Sequence, residues 1–304
     1  MVTAPHPPSI PGWLARLYPF SPKSFQTPRG ARMSYVDEGP RGGETVLMLH
    51  GNPTWSFYYR DLVREMSPSV RCIAPDHVGM GLSEKPSGYD YGLASRIADI
   101  EALVDSLGLG KVHLVVHDWG GPIGLGFAGR HPERVGRIVI LNTAAFFLDR
   151  IPARIALCRA PVLGAFLVRG LNGFAEAATW MAMASRRLTW DERRGYLHPY
   201  DSWANRIGIH RFVQDIPLKP DHPSRRALDE VFSGLSRLAA HEKMILWGAR
   251  DFCFDDAFLS RWREIYPDAR TDRLENAGHL VLEDAGGDAR DRIRDFLTSR
   301  PHEP

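Results

Sequence analysis

The sequence predicts an α/β fold in which a mostly parallel sheet is covered by helices. Short apolar runs typical of buried strands alternate with helical patterns from about residue 31 to 142, and again from about 236. Between these stretches the pattern is helical without strands, interrupted by Pro and Gly. We therefore expect one sheet in two parts, residues 1–145 and 226–304, separated by an inserted helical cap, residues 146–225.

The elements of the sheet can be placed in chain order. A Pro-rich arm over residues 1–30 is expected to lead into an edge hairpin. An amphipathic helix is expected over 93–107, where apolar residues recur at helical spacing. Strands are expected at 44–49, 69–74, 111–116, 137–141, 243–247 and 270–274.

The third of these strands ends in the most informative motif of the chain, His-Asp-Trp-Gly-Gly over residues 117–121. A strand, a sharp turn and a helix form a nucleophile elbow, whose apex is usually Ser. Here the apex is Asp118, and Gly120 and Gly121 permit close backbone approach and helix packing. A carboxylate attacks an sp³ carbon and forms an alkyl-enzyme ester, which suggests C–halogen, epoxide or strained C–O substrates. The alternative is that Asp118 merely caps the helix.

Other polar residues follow the other strands in the order nucleophile, acid, base. Asp251 follows the strand at 243–247, and His279 follows the strand at 270–274. The loop after 44–49 contains Asn52, whose backbone N–H, with that of Trp119, would form an oxyanion hole. This order is that of the catalytic triad in α/β-hydrolases, so the sequence predicts that fold, with His279 as base and Asp251 as its orienting acid.

Composition excludes several classes of function. The net charge of +2 and scattered Lys and Arg give no indication of nucleic-acid binding. The three cysteines, Cys72, Cys158 and Cys253, have no metal-binding spacing, and we expect neither a metal nor a cofactor. We expect Cys72 and Cys158 to be buried and the protein to be cytoplasmic, because no signal peptide or apolar run of membrane-span length is visible.

The cap contains a segment, residues 154–184, that is apolar on nearly all sides. Three interpretations remain open: helices that line a pocket for a long apolar substrate, a face that docks on a membrane or a partner, or an ordinary cap core. Four aromatic residues could line such a pocket or simply pack: Phe146, Phe147, Trp180 and Trp203.

Several segments resemble the haloalkane dehalogenase family, and the similarity extends over most of the chain. The segments that resemble the whole family are residues 50–60, 72–83 and 117–121. Within the family the chain most resembles the third subfamily, which includes the OleB-type β-lactone decarboxylases of bacterial long-chain olefin biosynthesis. The segments that carry this closer resemblance are residues 142–146, 203–207, 211–218 and 251–254.

The resemblance implies a role for each residue of the site. Asp118 corresponds to the nucleophile, His279 to the base and Asp251 to the acid. Some dehalogenases instead carry the acid at the position of Asn142, which cannot be an anion here. Asn52 and Trp119 correspond to the pair of N–H donors that hold a leaving halide. In a β-lactone they would hold the carboxylate that forms as the ring opens.

The resemblance favours decarboxylation of cis-3-alkyl-4-alkyloxetan-2-ones to cis-alkenes and carbon dioxide. It implies an apolar small-molecule substrate and leaves open an assembly with other enzymes of olefin biosynthesis. The main alternative is a haloalkane dehalogenase. An epoxide hydrolase would need two cap tyrosines, for which Tyr196 and Tyr200 are candidates. A third alternative is a protein that binds ligands in the pocket without turnover.

Overall fold

A computed structural model describes residues 10–147 and 151–299. Its centre is an eight-stranded sheet in the spatial order 1-2-4-3-5-6-7-8. The strands are β1 Lys23–Gln26, β2 Arg32–Glu38, β3 Thr45–Leu49, β4 Arg71–Pro75, β5 Val112–His117, β6 Val135–Leu141, β7 Lys243–Gly248 and β8 Arg270–Leu274. Strand β2 is antiparallel to both of its neighbours, and the other pairs are parallel. The predicted α/β fold, its six strands and the edge hairpin are confirmed.

Helices surround the sheet. They are α1 Gly12–Ala15, α2 Arg60–Met66, α3 Leu93–Ser106, α4 Gly120–Arg130, α5 Ala153–Arg159, α6 Leu163–Ala165, α7 Gly173–Met181, α8 Trp190–Leu197, α9 Ile207–Gln214, α10 Arg225–Gly234, α11 Asp256–Ile265, α12 Val281–Asp284 and α13 Gly286–Thr298. A π-helix, Phe166–Gly170, joins α6 to α7. Helices α3, α4 and α10 pack together, whereas α2 packs on β4 and α13 on β7.

The long insertion between β6 and β7 contains α5 to α10 and, among its described residues, no strand. Helix α10 packs on α4 and α3 and so lies with the core helices. Helices α5 to α9 make up the remainder of the insertion. The domain boundaries at 145 and 225 stay a prediction. Among the described residues, no helix is both long and apolar enough to cross a membrane.

The sheet explains how distant parts of the chain meet. Strands β3, β4 and β7 are buried along their whole length, as expected for parallel strands covered on both faces. The register aligns Leu49 with Val116, His117 with Leu141, and Leu141 with Leu246. The loops after β3, β5, β6 and β7 therefore open at one edge of the sheet, where ligands bind in open α/β sheets.

Candidate active site

The turn after β5 has the geometry of a nucleophile elbow. Asp118 lies in the left-handed region with φ of 50°, a conformation that non-glycine residues rarely adopt. A β-carbon at Gly120 would overlap the carbonyl oxygen of Leu49 on β3, so only Gly lets helix α4 begin this close to the sheet. The side chain of Thr143 donates to the main-chain oxygen of Asp118 and holds the turn. The elbow thus presents the Asp118 carboxylate at the end of the sheet.

The loop after β3 closes around that carboxylate. The backbone N–H of Asn52 donates to Oδ1 of Asp118 at 2.6 Å, and the backbone N–H of Trp119 also bonds this carboxylate. A β-carbon at Gly51 would overlap the Asp118 carboxylate, so Gly is required there. The two predicted backbone donors therefore both bond the carboxylate of Asp118. The side-chain amide of Asn52 donates to the carbonyl oxygen of Ile209 on α9 at 3.3 Å.

The predicted base and acid lie on the other side of the Asp118 carboxylate. Nδ1 of His279 donates to Oδ2 of Asp251 at 2.8 Å, which leaves Nε2 facing Oδ2 of Asp118 at 3.9 Å. All three side chains are buried. The imidazole lies near the rings of Phe252 and Phe254, at centroid distances of 6.1 and 5.8 Å. The structure brings the five predicted site residues together in the arrangement of a hydrolase triad and oxyanion hole.

Two further residues bond the predicted triad: Asn142, considered from the sequence only as an alternative acid position, and His117, which had no predicted role. Nδ2 of Asn142 donates to Oδ2 of Asp251 at 3.0 Å, and Oδ1 of Asn142 accepts from the N–H of Gly248 at 2.7 Å. Nε2 of His117 donates to the main-chain oxygen of His279 at 2.9 Å. Because burial holds the pKa of His117 well below its ordinary value, its imidazole is neutral. The signal for Asn142 was its position directly after β6.

Burial and nearby charge shift the pKa values of the reacting pair. Burial raises the pKa of Asp118 above its ordinary 3.8, although His279 and the two backbone N–H groups favour the anion. Burial alone would lower the pKa of His279, but the carboxylates of Asp251 and Asp118 raise it above its ordinary 6.5. The Asp118 carboxylate is therefore more basic than that of a solvated Asp, and the imidazolium form of His279 is stabilised.

A cavity of about 250 Å³ opens above Asp118. Among the described residues that line it, Arg154 is the one charged group besides Asp118 and His279. The apolar wall comes from α5, α7, the segment after α9 and the loop after β7. Its members include Phe146, Phe147, Ile155, Phe174, Ala178, Met181, Ile216, Leu218, Phe252 and Phe254. The site therefore suits a substrate with a small reactive group and large apolar substituents.

Of the four aromatic residues suggested as pocket-lining, two line the cavity and two do not. Phe146 and Phe147 line the cavity. Trp180 and Trp203 lie outside it, 50% and 48% exposed, so the suggestion was wrong for both. Cys158 was expected to be buried but is only partly buried at the cavity wall, because α5 lies at the protein surface. Cys158 and Trp180 lie on α5 and α7, whose segment carries apolar side chains on nearly all sides, so their spacing could not indicate which face turns inward.

The two tyrosines that an epoxide hydrolase would use do not reach the cavity. The hydroxyl of Tyr196 donates to Glu283 at 2.6 Å, and that of Tyr200 donates to the carbonyl oxygen of Thr54 at 3.3 Å. Among the described residues that line the cavity, none is Tyr. The epoxide-hydrolase alternative therefore lacks its electrophiles.

Within residues 10–147 and 151–299, no group of three His, Cys, Asp or Glu side chains is placed to hold a metal ion. Burial raises the pKa of the thiols of Cys72, Cys158 and Cys253, which keeps all three protonated. The reactive groups that face the cavity are thus the carboxylate of Asp118 and the imidazole of His279.

Comparison with known proteins agrees with this geometry. A family model for the alpha/beta hydrolase fold matches residues 44–286. This chain belongs to the α/β-hydrolase family. The hydrolase is 46% identical over 291 residues to a Shewanella oneidensis protein named cis-3-alkyl-4-alkyloxetan-2-one decarboxylase, and the match covers 94% of this chain and 91% of that protein.

The haloalkane dehalogenases are also relatives of the hydrolase. It is 33% identical over 274 residues to haloalkane dehalogenase 2 of Mycobacterium bovis, with 89% of this chain and 92% of that protein covered. The crystal structure of the haloalkane dehalogenase DatA from Agrobacterium tumefaciens C58 superposes with a TM-score of 0.81 at 25% identity, covering 91% of this chain and 96% of that chain. The predicted resemblance to this family, with its decarboxylase branch, is confirmed.

Proposed function

We propose that this hydrolase decarboxylates cis-3-alkyl-4-alkyloxetan-2-ones, which are β-lactones with two alkyl arms, to cis-alkenes and carbon dioxide. One observation carries the proposal: the carboxylate of Asp118 lies in a cavity whose wall is otherwise almost wholly apolar. Such a site fits a small strained ester between two hydrocarbon chains. The name of the relative at 46% identity supports the same substrate.

The first step is attack by Asp118 on the ring carbon that bears the lactone oxygen. Because Oδ1 is held by the backbone N–H of Asn52 and Oδ2 faces His279, we assign Oδ2 as the nucleophilic atom. A bond forms from Oδ2 to the β-carbon while the ring C–O bond breaks. Its electron pair stays on the departing oxygen, which becomes a carboxylate on the neighbouring carbon. Relief of ring strain drives this step, and the configuration at the attacked carbon is inverted.

The second step releases both products without water. The bond between the α-carbon and the carboxylate breaks, and its electron pair forms the C=C bond. The ester C–O bond breaks at the same time and returns its pair to Asp118. Inversion followed by elimination of groups on opposite sides retains the cis relation of the two arms. No net proton transfer is needed, so His279 serves to orient and to balance charge.

The donors next to Asp118 suit the charge that develops. The side-chain N–H groups of Asn52 and Trp119, both at the cavity wall, would bind the new carboxylate while the ring opens. Donors that are fixed before the reaction stabilise such charge without reorganisation. We assign Asp118 as nucleophile, Asp251 as the acid that orients His279, and Asn52 and Trp119 as leaving-group donors. His279 would act as a base where an ester on Asp118 is hydrolysed, and would orient groups and balance charge in decarboxylation.

Haloalkane dehalogenation is the second candidate, and the position of His279 favours it. Hydrolysis of an alkyl ester on Asp118 needs a base that can activate water, and Nε2 of His279 lies 3.9 Å from Oδ2 of Asp118. The hydrogen bond to Asp251 keeps the proton on Nδ1 and so leaves Nε2 able to accept one. A decarboxylase would not require this complete arrangement for turnover.

The domain roles and the cellular setting belong to the same proposal. Helices α5 to α9 would act as a cap over residues 1–145 and 226–304, because α5 and α7 supply much of the apolar cavity wall. The assembly with other olefin-biosynthesis enzymes and the cytoplasmic location rest on the resemblance and on the cysteine content, and stay predictions.

The deciding experiment compares a cis-dialkyl β-lactone with a bromoalkane of matched chain length. We expect cis-alkene by gas chromatography, with kcat/KM for the lactone well above that for bromide release. If bromide release is faster and no alkene forms, the protein is a dehalogenase. If neither product forms and mass spectrometry finds no ester on Asp118, the protein binds ligands without turnover.

A further inference from the structure

The exposed apolar side chains of this protein are concentrated on one part of the fold. Among the described residues, nine large apolar side chains are 39–86% exposed, and eight of them lie between residues 157 and 203. Five of these lie close together in sequence on α5, α6, the π-helix and the turn that follows. We name these five side chains the cap ridge: Leu157, Val162, Leu163, Phe166 and Leu171.

The ridge projects from the protein. Its tip is Val162, which is 86% exposed and has φ of 62°. A β-branched residue rarely adopts this left-handed conformation, and such strain is found most often at functional positions. Helices α5 and α6 pack together, and α6 leads directly into the π-helix, so the five exposed side chains lie on adjoining elements.

Cations without acidic partners lie next to the ridge. Arg169 stacks on Trp203 at 4.6 Å, and Arg206 donates to the main-chain oxygens of Arg169 and Gly170. Within the described part of the chain, no ion pair involves Arg169, Arg206 or the exposed Arg211. Most other arginines of the protein pair with a carboxylate.

The whole insertion carries a net positive charge, like the cations next to the ridge. Residues 146–225 contain twelve Lys and Arg but seven Asp and Glu, whereas the complete chain has a net charge of only +2. An apolar surface flanked by Arg and Trp is the pattern of segments that insert shallowly into anionic membranes. A protein partner would need complementary carboxylates at fixed positions, whereas an anionic bilayer offers negative charge wherever the cations lie.

We infer that the cap ridge, with Arg169, Arg206 and Arg211, docks this protein on the surface of a bilayer that contains anionic lipids. The ridge lies on the outer side of the helices that enclose the cavity. On α5, Ile155 and Cys158 line the cavity, whereas Leu157 is exposed. The bilayer would therefore be separated from the cavity by one layer of helix, about 10 Å thick.

Docking at this location would give the cavity access to substrate in the bilayer, an argument that rests on the proposed function. A lactone with two alkyl arms, and the alkene formed from it, would partition into bilayers because each buried methylene favours the lipid phase. Docking through the cap would bring the cavity next to the phase that contains both compounds.

The test is co-sedimentation of the full-length protein with vesicles in the absence of substrate. We expect binding to phosphatidylcholine vesicles that contain phosphatidylglycerol, at least tenfold weaker binding to phosphatidylcholine alone, and loss of binding at high salt. The double variant Val162→Asp/Phe166→Asp should abolish binding. Arg211→Glu should weaken it by about fivefold or more, since each cation near an anionic surface contributes about that factor.

Matched controls separate the ridge from general effects of charge and polarity. Phe232→Asp changes an exposed Phe on α10, and Lys111→Glu reverses a charge just before β5, so both should bind like the wild type. Ridge variants should keep the wild-type melting temperature and full turnover of a short, detergent-dispersed lactone. They should lose turnover of a long lactone embedded in anionic vesicles.

Several results would overturn the inference. These are no binding of the wild type to anionic vesicles, equal binding to both vesicle types, or unchanged binding of the ridge variants. A change in oligomeric state alone, measured by light scattering of the ridge variants, would assign the ridge to contact between copies. Asp118→Ala should bind vesicles normally, so failure of docking is distinguishable from failure of the proposed function.

Discussion

Nδ2 of Asn142 donates to Oδ2 of Asp251 at 3.0 Å, the same oxygen that accepts from Nδ1 of His279 at 2.8 Å. The carboxylate of Asp251 is therefore fixed by the neutral amide of Asn142. The N–H of Cys253 donates to the other oxygen of Asp251 at 2.6 Å. Both oxygens of Asp251 thus accept hydrogen bonds, and the orientation of its carboxylate toward His279 depends on Asn142.

We predict that Asn142→Leu lowers kcat more than it raises KM. The variant leaves the N–H of Gly248 and one lone pair of Asp251 without a partner, at a cost of about 1–3 kcal/mol. If this cost disturbs the orientation of Asp251 and His279 in the transition state, turnover should be about tenfold to hundredfold slower. Steady-state kinetics across pH, with thermal melting as a control for folding, would measure this. An unchanged kcat with a lower melting temperature would make Asn142 purely structural.

We predict that Asp118→Gly abolishes turnover but raises stability at neutral pH. Glycine relieves the left-handed φ of 50° and removes a buried carboxylate. The pKa of Asp118 is raised in the folded state, so its ionised form opposes folding above that pKa. The gain in stability should shrink as pH falls and the wild-type carboxyl becomes protonated.

Urea unfolding of Asp118→Gly at neutral and acidic pH would measure that gain. Asp118→Ala, which keeps the backbone strain, is the matched variant and should show a smaller increase. Residual activity above a trace in either variant would show that Asp118 is not the nucleophile. Asn is avoided because it can deamidate back to Asp.

Replacement of His279 separates the two candidate chemistries. In His279→Gln, alkylation of Asp118 by a bromoalkane should proceed and hydrolysis should stop, because no base activates water. Mass spectrometry of the peptide that contains Asp118 should then show a stable adduct. Alkene formation from a β-lactone should be reduced far less, since that route needs no water. Continued bromide release at the wild-type rate without an adduct would contradict the role of His279 as base.

These assignments show how far the sequence determined the site. The strand-end positions of Asp118, Asp251 and His279 followed from apolar runs and their order, because parallel strands bring their carboxyl ends to one edge. The role of Asn142 could not be predicted, since it depends on the pairing of β6 with β7, which places residue 142 near Gly248. Sequence alone does not determine which strands are neighbours.

The orientation of the cap helices was the other part beyond prediction. In residues 154–184 apolar side chains occur on all sides, so no helical period distinguishes an inner face from an outer one. The structure turns Ile155 to the cavity and exposes Leu157 and Trp180. Propensity and periodicity identify such helices. Only packing against the core determines how each helix is rotated about its axis, and so which face points to the cavity.

The pH dependence should also distinguish the reactions. Hydrolysis needs neutral His279, whose pKa is raised by Asp251 and Asp118 against the opposing effect of burial. Dehalogenation should therefore fall off with decreasing pH already above 6.5, the ordinary value for His. Decarboxylation needs only ionised Asp118, whose pKa is raised by burial above 3.8. Decarboxylation should persist to lower pH than dehalogenation does. It should then decline as Asp118 becomes protonated, at a pH above the pKa of a solvated Asp.

Profiles of kcat/KM for a lactone and for a bromoalkane, measured on one preparation, would check this. If kcat/KM for both substrates declined over the same pH range on the acid side, both reactions would need the same protonation state of the Asp118–His279 pair. The assignment of a water-free route to the lactone would then be wrong.

The indole of Trp119 provides the last test, because its backbone and its side chain have separate roles. The backbone N–H bonds the Asp118 carboxylate, whereas the ring lies at the cavity wall, 5.2 Å from the ring of Phe212. Trp119→Phe keeps the backbone donor and an aromatic ring but removes the indole N–H. We expect kcat for the lactone to fall on the order of 10²–10³, the usual cost of losing one preorganised donor. Phe212→Leu, which perturbs the same contact without removing a donor, should cost much less. If Trp119→Phe retains wild-type kcat, the leaving carboxylate is held by other groups, and the contribution of Trp119 is confined to its backbone N–H.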